Sequence, residues 1–130
     1  MFTKYSVSIE NYAERHFIKN FEKKYHRAWD ITIDAIIREL QSFEVLLDRG
    51  IAEKIIGNQK INICKIEFKI AGTNQSRHGS GNRGIIAVHK DSCIVRILLI
   101  YHKNDLRDGN ETAQWKQLIK DNYPEYHELL

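Results

Sequence analysis

The spacing of apolar residues changes period several times along the chain, and each change marks an element. Residues 3–10 alternate, with Tyr5, Val7 and Ile9 on one side, which predicts a short strand. From Ala13 the period lengthens: Phe17, Phe21 and Tyr25 recur every four residues and form one helical stripe. Trp29, Ile33, Ile36, Ile37, Leu40, Phe43 and Leu47 continue a helical pattern for about five turns. A break is expected near His26–Asp30, with Asp30 capping the second helix, so that the two helices pack as a hairpin with their aromatics in the core. Arg49-Gly50 closes the second helix, with Gly50 as the residue just past its end. Ile51 to Ile56 reads as a short turn of helix, and Gly57-Asn58 as a turn.

Beyond that point the period becomes two. Ile61 to Ile70 predicts a strand with Cys64, Ile66, Phe68 and Ile70 on one face and Lys65, Glu67 and Lys69 on the other. Residues 71–82 are rich in Gly, Ser and Asn and form a loop. Arg83 to His89 is a second strand, followed by a tight turn at Lys90-Asp91-Ser92. Cys93 to His102 is apolar almost throughout, broken by Arg96, and reads as a central strand buried on both faces. Arg96 itself is expected to be a paired structural charge, since an unpaired one there is costly. His89, beside a turn, is expected in solvent. Asn104 to Asn110 is a polar loop; Glu111 to Asn122 is a last helix, with Trp115, Leu118 and Ile119 inward, Asn110 as cap and Pro124 preventing continuation. Helices on one side of a mostly antiparallel sheet make an α+β domain, and residues 1–130 fit one such domain.

Composition adds few constraints. With 42% hydrophobic and 28% charged residues the chain is of ordinary globular type, and no segment approaches the ~18 apolar residues of a membrane span. No apolar leader begins the chain, and Cys64 and Cys93 fit neither a metal spacing nor a disulfide framework. They are expected as reduced cysteines in a cytoplasmic protein. Charge says more. Residues 61–110 hold eight Lys/Arg against four Asp/Glu and three of the six His, whereas residues 111–130 hold two Lys/Arg against four Asp/Glu. An anionic partner is therefore drawn to the middle segment.

The residue types of that segment suit one reaction. Cleavage of RNA by its own 2′-hydroxyl needs a base, cations on the phosphate and an acid for the leaving 5′-oxygen. Glu67, Tyr101, His102 or a lysine could exchange protons, and Arg83, Lys65, Lys69 and Arg77 could hold phosphate. The chemistry requires no metal, and no dense Asp/Glu/His cluster offers to bind one. By composition and spacing alone, however, alternating charges on a strand are more often its solvated face, and Arg77-His78 divides evenly between phosphate contact and plain loop.

The stretch from Ile61 to Tyr123 resembles the RelE/ParE superfamily of bacterial type II toxins, in its RelE-like messenger-RNA interferase subgroup. The resemblance is carried by Lys65 to Thr73, by Ser80-Gly81-Asn82-Arg83, by Val95 to Asp105, and by Asn110 to Lys116 with Asn122-Tyr123. The strand–helix–helix order before it fits the same layout. The resemblance implies a RelE-like, microbial-RNase-like fold: an N-terminal strand and helical hairpin packed on a mostly antiparallel sheet, then a C-terminal helix. It implies a metal- and cofactor-free endoribonuclease that cuts messenger RNA on the ribosome, a cognate antitoxin as partner, and contact with operator DNA through that antitoxin. Carried over, the catalytic set falls on Arg83, Lys65, Glu67, Tyr101, His102 and Lys103, with Lys69, Arg77 and His78 binding RNA. Arg83 is the expected phosphate clamp, His102 or Tyr101 the acid, and Glu67 or Lys65 the base. Glu67 departs from relatives that have lysine there, the loop from Thr73 to Gly81 is longer than in the smallest toxins, and the C-terminal catalytic tyrosine of some members has no counterpart. Two further classes remain open: a ParE-type inhibitor of DNA gyrase, which cuts no RNA, and a non-catalytic toxin-like binding module.

Overall fold

The computed structural model describes residues 4–106 and 109–130. Five strands form one sheet in the order β1-β5-β4-β3-β2, from β1 (Ser6–Ile9), β2 (Ala52–Gly57), β3 (Ile61–Phe68), β4 (Asn82–His89) and β5 (Ile94–His102). Neighbours pair antiparallel except β1, which lies parallel to β5 with Ser6 opposite Ile94. The α+β class and the mostly antiparallel sheet thus stand as expected, and β5 lies inside the sheet. The expected strand at 3–10 narrows to β1, with Thr3 outside the described residues; the loop expected at 104–110 includes two further residues outside them.

The helices are α1 (Asn11–Ala13), α2 (Lys19–Tyr25), α3 (Arg27–Gln41), α4 (Phe43–Asp48) and α5 (Glu111–Asn122). Between α1 and α2 the chain widens into π turns over Glu14–Ile18. One extra residue per turn rotates the following face. Phe17 accordingly packs with the core under α5, whereas Phe21 packs in the core under α3, so the apparent single stripe divides. The break between the first helices falls at His26, whose φ is 51°, and Asp30 sits inside the first turn of α3 rather than capping it. The long second helix is interrupted at Ser42 (φ −110°, ψ 50°), which separates α4 from α3. Gly50 closes α4 as the pattern predicts. Its φ is 72°, its N–H donates to the Leu47 carbonyl, and Ile51 N–H donates to the Leu46 carbonyl, the paired bonds of a Schellman ending.

Two expectations fail here. Residues 52–57 are not helical but form the edge strand β2, paired to β3 with a bulge between Lys54 and Ile56. A six-residue segment with Glu53 and Lys54 among its apolar residues carries too little periodicity to decide between the two forms; the free edge of β3 decides. The helices also do not lie on one side. One core gathers Phe21, Trp29, Leu40, Cys64, Ile66, Phe68 and Ile86 under α2 to α4. A second gathers Ile63, Ile85, Leu99, Tyr101, Trp115, Ile119 and Tyr126 under α5. The face of β3 that carries Lys65 and Glu67 is therefore partly roofed by α5 rather than open to water. At the start of that helix the Asn110 side chain accepts from Ala113 N–H at 3.1 Å, the expected cap. Cys64 and Cys93 are free thiols, and burial pushes the Cys64 thiol up to about 12. No helix among the described residues is long and apolar enough to cross a membrane.

Arg96 is paired, as a charge in an apolar strand must be. It bonds Glu10 before α1, Glu125 at 3.2 Å and the Tyr126 hydroxyl, and so ties the chain's last turn to the sheet. His89 is not in solvent: its Nε2 lies 2.7 Å from the same hydroxyl. Burial, reinforced by the Arg96 charge, lowers its pKa below the ordinary value. A group whose folded pKa is depressed stabilises the fold above its unfolded pKa, and that contribution disappears as pH falls. Urea unfolding between about pH 7 and pH 5 should show stability falling below about 6.5, with a shallower slope in His89→Gln. A second expectation concerns the core under α5: Trp115→Ala should lower unfolding free energy by about 3–5 kcal/mol in the same assay, because the indole is fully buried.

Candidate functional site

Side chains alternate across a strand, and register decides which of them meet. Glu67 on β3 is opposite Arg83 on β4, and Arg83 is opposite Tyr101 on β5. The three form one row across the end of the sheet, on the face roofed by α5. Lys65 lies two residues along β3, roughly 7 Å away on the same face. The structure brings Lys65, Glu67, Arg83 and Tyr101 together on one face of this sheet end.

The row is internally neutralised. Arg83 is only 4% exposed. Its Nη1 lies 3.0 Å from Glu67 Oε2 and also donates to the Asn82 carbonyl at 3.1 Å, while Nη2 donates to the His78 carbonyl at 3.3 Å. Its Nε is buried with no partner. The same Glu67 oxygen takes His78 Nδ1 at 2.7 Å, and the His78 side chain is 85% exposed. Glu67 thus grips a buried guanidinium on one side and an accessible imidazole on the other. Lys65 Nζ is 3.9 Å from Glu111 Oε2, and the Tyr101 hydroxyl donates to that same oxygen at 2.7 Å. Burial first, and then the Glu111 carboxylate, raises the Tyr101 pKa far above the ordinary phenol value. Tyr101 is therefore a fixed hydrogen-bond donor and a poor proton exchanger near neutrality.

The remaining expected residues lie elsewhere. His102, next to Tyr101, faces the opposite side of the sheet, toward α2. Its Nδ1 accepts the Asn104 N–H at 3.1 Å, and its Nε2 lies 3.0 Å from the Ser80 carbonyl. Both ring nitrogens are thus engaged by the backbone. Neither nitrogen is left to serve as the acid that the sequence suggested. Gly81 makes this placement possible: its φ is 78°, and a Cβ there would come 2.6 Å from His102 Nε2. Arg77 turns toward α3 and bonds Glu39 at 2.8 Å, away from the row. Lys69 and Lys103 are exposed, Lys69 just beyond β3 and Lys103 just beyond β5. Among the described residues no group of three or more His, Cys, Asp or Glu could hold a metal ion.

Two features escaped the sequence. Glu111 is a partner of both Lys65 and Tyr101, yet an acidic residue directly after a helix cap is already explained by the helix dipole, which hides its second role. The other is the contact of His78, expected only to bind RNA, with Glu67 eleven residues away, made by a loop whose course is set by Ser80. That hydroxyl lies within 2.6 Å of the Phe68 carbonyl and 2.7 Å of the Arg77 carbonyl, and it accepts Asn82 N–H at 3.0 Å.

No family model matches the sequence, and no curated protein matches it. Among solved structures, the fold is similar to a chain of the archaeal RelE–RelB complex from Pyrococcus horikoshii OT3. The two are 14% identical and superpose with a TM-score of 0.51, over 76% of this chain and 94% of that one. The fold is RelE-like.

Removing the Glu67 charge leaves the Arg83 guanidinium buried and unpaired. Glu67→Gln should cost about 2–3 kcal/mol in urea unfolding. The double variant Glu67→Gln/Arg83→Met should recover most of that loss; additive losses would show that the pair does not hold the two strands as described.

Proposed function

We propose that the chain is the toxin of a type II toxin–antitoxin pair and that it cuts messenger RNA on the ribosome without a metal. The reading is supported by the RelE-like fold taken with the composition of the row at the end of the sheet. The observation that carries it is Glu67 holding an accessible imidazole, His78, above a buried guanidinium, Arg83. His78, oriented by Glu67, takes the proton of the 2′-hydroxyl as its oxygen bonds to phosphorus. Arg83 and Lys65 offset the charge that builds on the phosphate, with the phosphate replacing the His78 carbonyl on Arg83 Nη2. The bond from phosphorus to the 5′-oxygen breaks, and Lys65 supplies the proton to that oxygen. The products are a 2′,3′-cyclic phosphate and a 5′-hydroxyl. Lys69 and Lys103 contact the flanking chain. A cognate antitoxin blocks the protein in the cytoplasm and links it to operator DNA.

One observation favours a second reading, a non-catalytic binding module. Lys65 and Arg83 are both already paired with carboxylates, which weakens their pull on phosphate. Inducible expression in a test bacterium, with growth scored and messenger 5′ ends mapped, separates the readings. The ribonuclease reading expects growth arrest with new cuts inside translated codons. Both should be lost in Arg83→Ala and reduced about 10²-fold in His78→Gln, whose exposed position leaves the fold intact. Arrest without cuts, accompanied by inhibition of gyrase supercoiling, would point to the ParE-type activity; absence of arrest would favour the binding module.

A further inference from the structure

Behind the charged row, on the other face of the same sheet end, lies a cavity of about 410 Å³ that the proposed chemistry does not use. Its size falls in the ~300–1,000 Å³ range of small-ligand sites. Alternation along the strands creates it. Arg83 and Tyr101 face α5, so their neighbours Asn82 and His102, opposite each other in the register, face α2.

One wall is aromatic. Tyr25 stacks on Phe21 at 6.2 Å and 25°, and Phe21 stacks on Trp29 at 4.7 Å and 25°. Trp29 and Phe21 are buried, so Tyr25 is the half-buried outer ring where this stack meets the cavity. The opposite wall is polar. Asn82 is 2% exposed, and its Oδ1 is buried with no hydrogen-bond partner. A buried amide oxygen left unpaired is disfavoured in a fold unless something else supplies a donor. His102, with both nitrogens engaged, adds a rigid flat surface and no proton. Asn104 and Asp105 sit at the rim, and the Lys24 ammonium lies 5.3 Å from the Tyr25 ring centroid.

The chemistry of these groups selects a ligand class. An apolar ligand would leave the buried Asn82 amide oxygen unpaired. A polyanion would find one ammonium and be opposed by Asp105. A flat heterocycle with donors and acceptors on its edge fits best: with Lys24 swung off the Tyr25 face it covers, the ring stacks there and the ammonium meets an attached phosphate, while a small shift of Asn82 opens its amide to the ring edge. We infer that the cavity between α2 and the Asn82–His102 end of the sheet binds a single unstacked nucleobase of a nucleotide. Its role in the ribonuclease rests on the preceding proposal. Asn82 and Arg83 are consecutive but face opposite sides of the sheet, so an RNA strand wrapping the sheet end would set a base in this cavity and a phosphate at Arg83 on the far side, and the cavity would select that base.

Titration of the purified protein with AMP, GMP, CMP and UMP, followed by backbone amide NMR, tests the site without relying on cleavage. Saturable shifts are expected at Tyr25, His102 and Asn104, with one base preferred severalfold. Binding should weaken about tenfold in Tyr25→Leu, which keeps the bulk and removes the ring. Asn104→Ala, at the rim, should flatten the preference among bases without unfolding the chain. The inference is overturned if ribose 5-phosphate gives the same shifts as the nucleotides, if shifts fall only near Lys65, Glu67 and His78, or if none appear at millimolar ligand. Cleavage with unchanged base preference in Tyr25→Leu would remove the cavity's role and leave the ribonuclease standing. Loss of cleavage in no variant of the charged row would do the reverse.

Discussion

The double burial of β4 and β5 governs everything else in this molecule. Both strands lie inside the sheet, with α3 over one face and α5 over the other, so their middles must be apolar on both sides. Ile85, Ile86, Val88, Ile97 and Leu99 meet that demand with no exposed surface. Apart from Arg96 and His89 toward the other end, polar side chains enter where the helices run out. Asn82 and Arg83 begin β4, and Tyr101 and His102 end β5, so both pairs lie at the same end of the sheet. That end is chemically rich because the rest of the two strands cannot be.

A charge placed there is still close to the core, and burial forces it to find partners. Arg83 takes Glu67, and Lys65 takes Glu111. The same rule operates along β5, where Arg96 holds Glu10 and Glu125 and anchors the final turn. Lys65, Arg77, Arg83 and Arg96 of the basic middle segment are thus paired with carboxylates, whereas Lys69 and Lys103 stay exposed. What remains available at the sheet end is specific: an imidazole held by a carboxyl group, an ammonium nearby, and a guanidinium fixed beneath them. Fixed groups of this kind favour a charge that develops at one point, which is the requirement of phosphate cleavage, over diffuse attraction to a polyanion.

Elements specified by local patterns were legible in the sequence. The strand around Lys65 followed its alternation and the one around Arg96 its almost unbroken apolar run, Glu111–Asn122 followed its cap and its proline, and Gly50 ended α4 as glycine at that position does. What tertiary contacts decide was not legible. β2 exists because β3 has a free edge, and its own six residues are ambiguous. The π turns at Glu14–Ile18 shift Phe17 and Phe21 to different cores without altering their spacing in sequence. Alternation did place Lys65 and Glu67 on one face, and register added Arg83 and Tyr101. His102 was grouped with Tyr101 because the two are adjacent, yet adjacency in a strand means opposite faces. Glu111 and the Glu67–His78 contact depend on a helix and a loop returning to the sheet, which no local spacing encodes.

The proposed cleavage is tested most directly by incubating the purified protein with message bound to ribosomes, free divalent ions depleted as far as ribosome integrity allows, and determining the chemistry of any new ends. Attack by the RNA's own 2′-hydroxyl at the Glu67–His78–Arg83 row must give 2′,3′-cyclic phosphate and 5′-hydroxyl termini. Cuts bearing 5′-phosphates, or intact message beside a folded protein, would contradict the account.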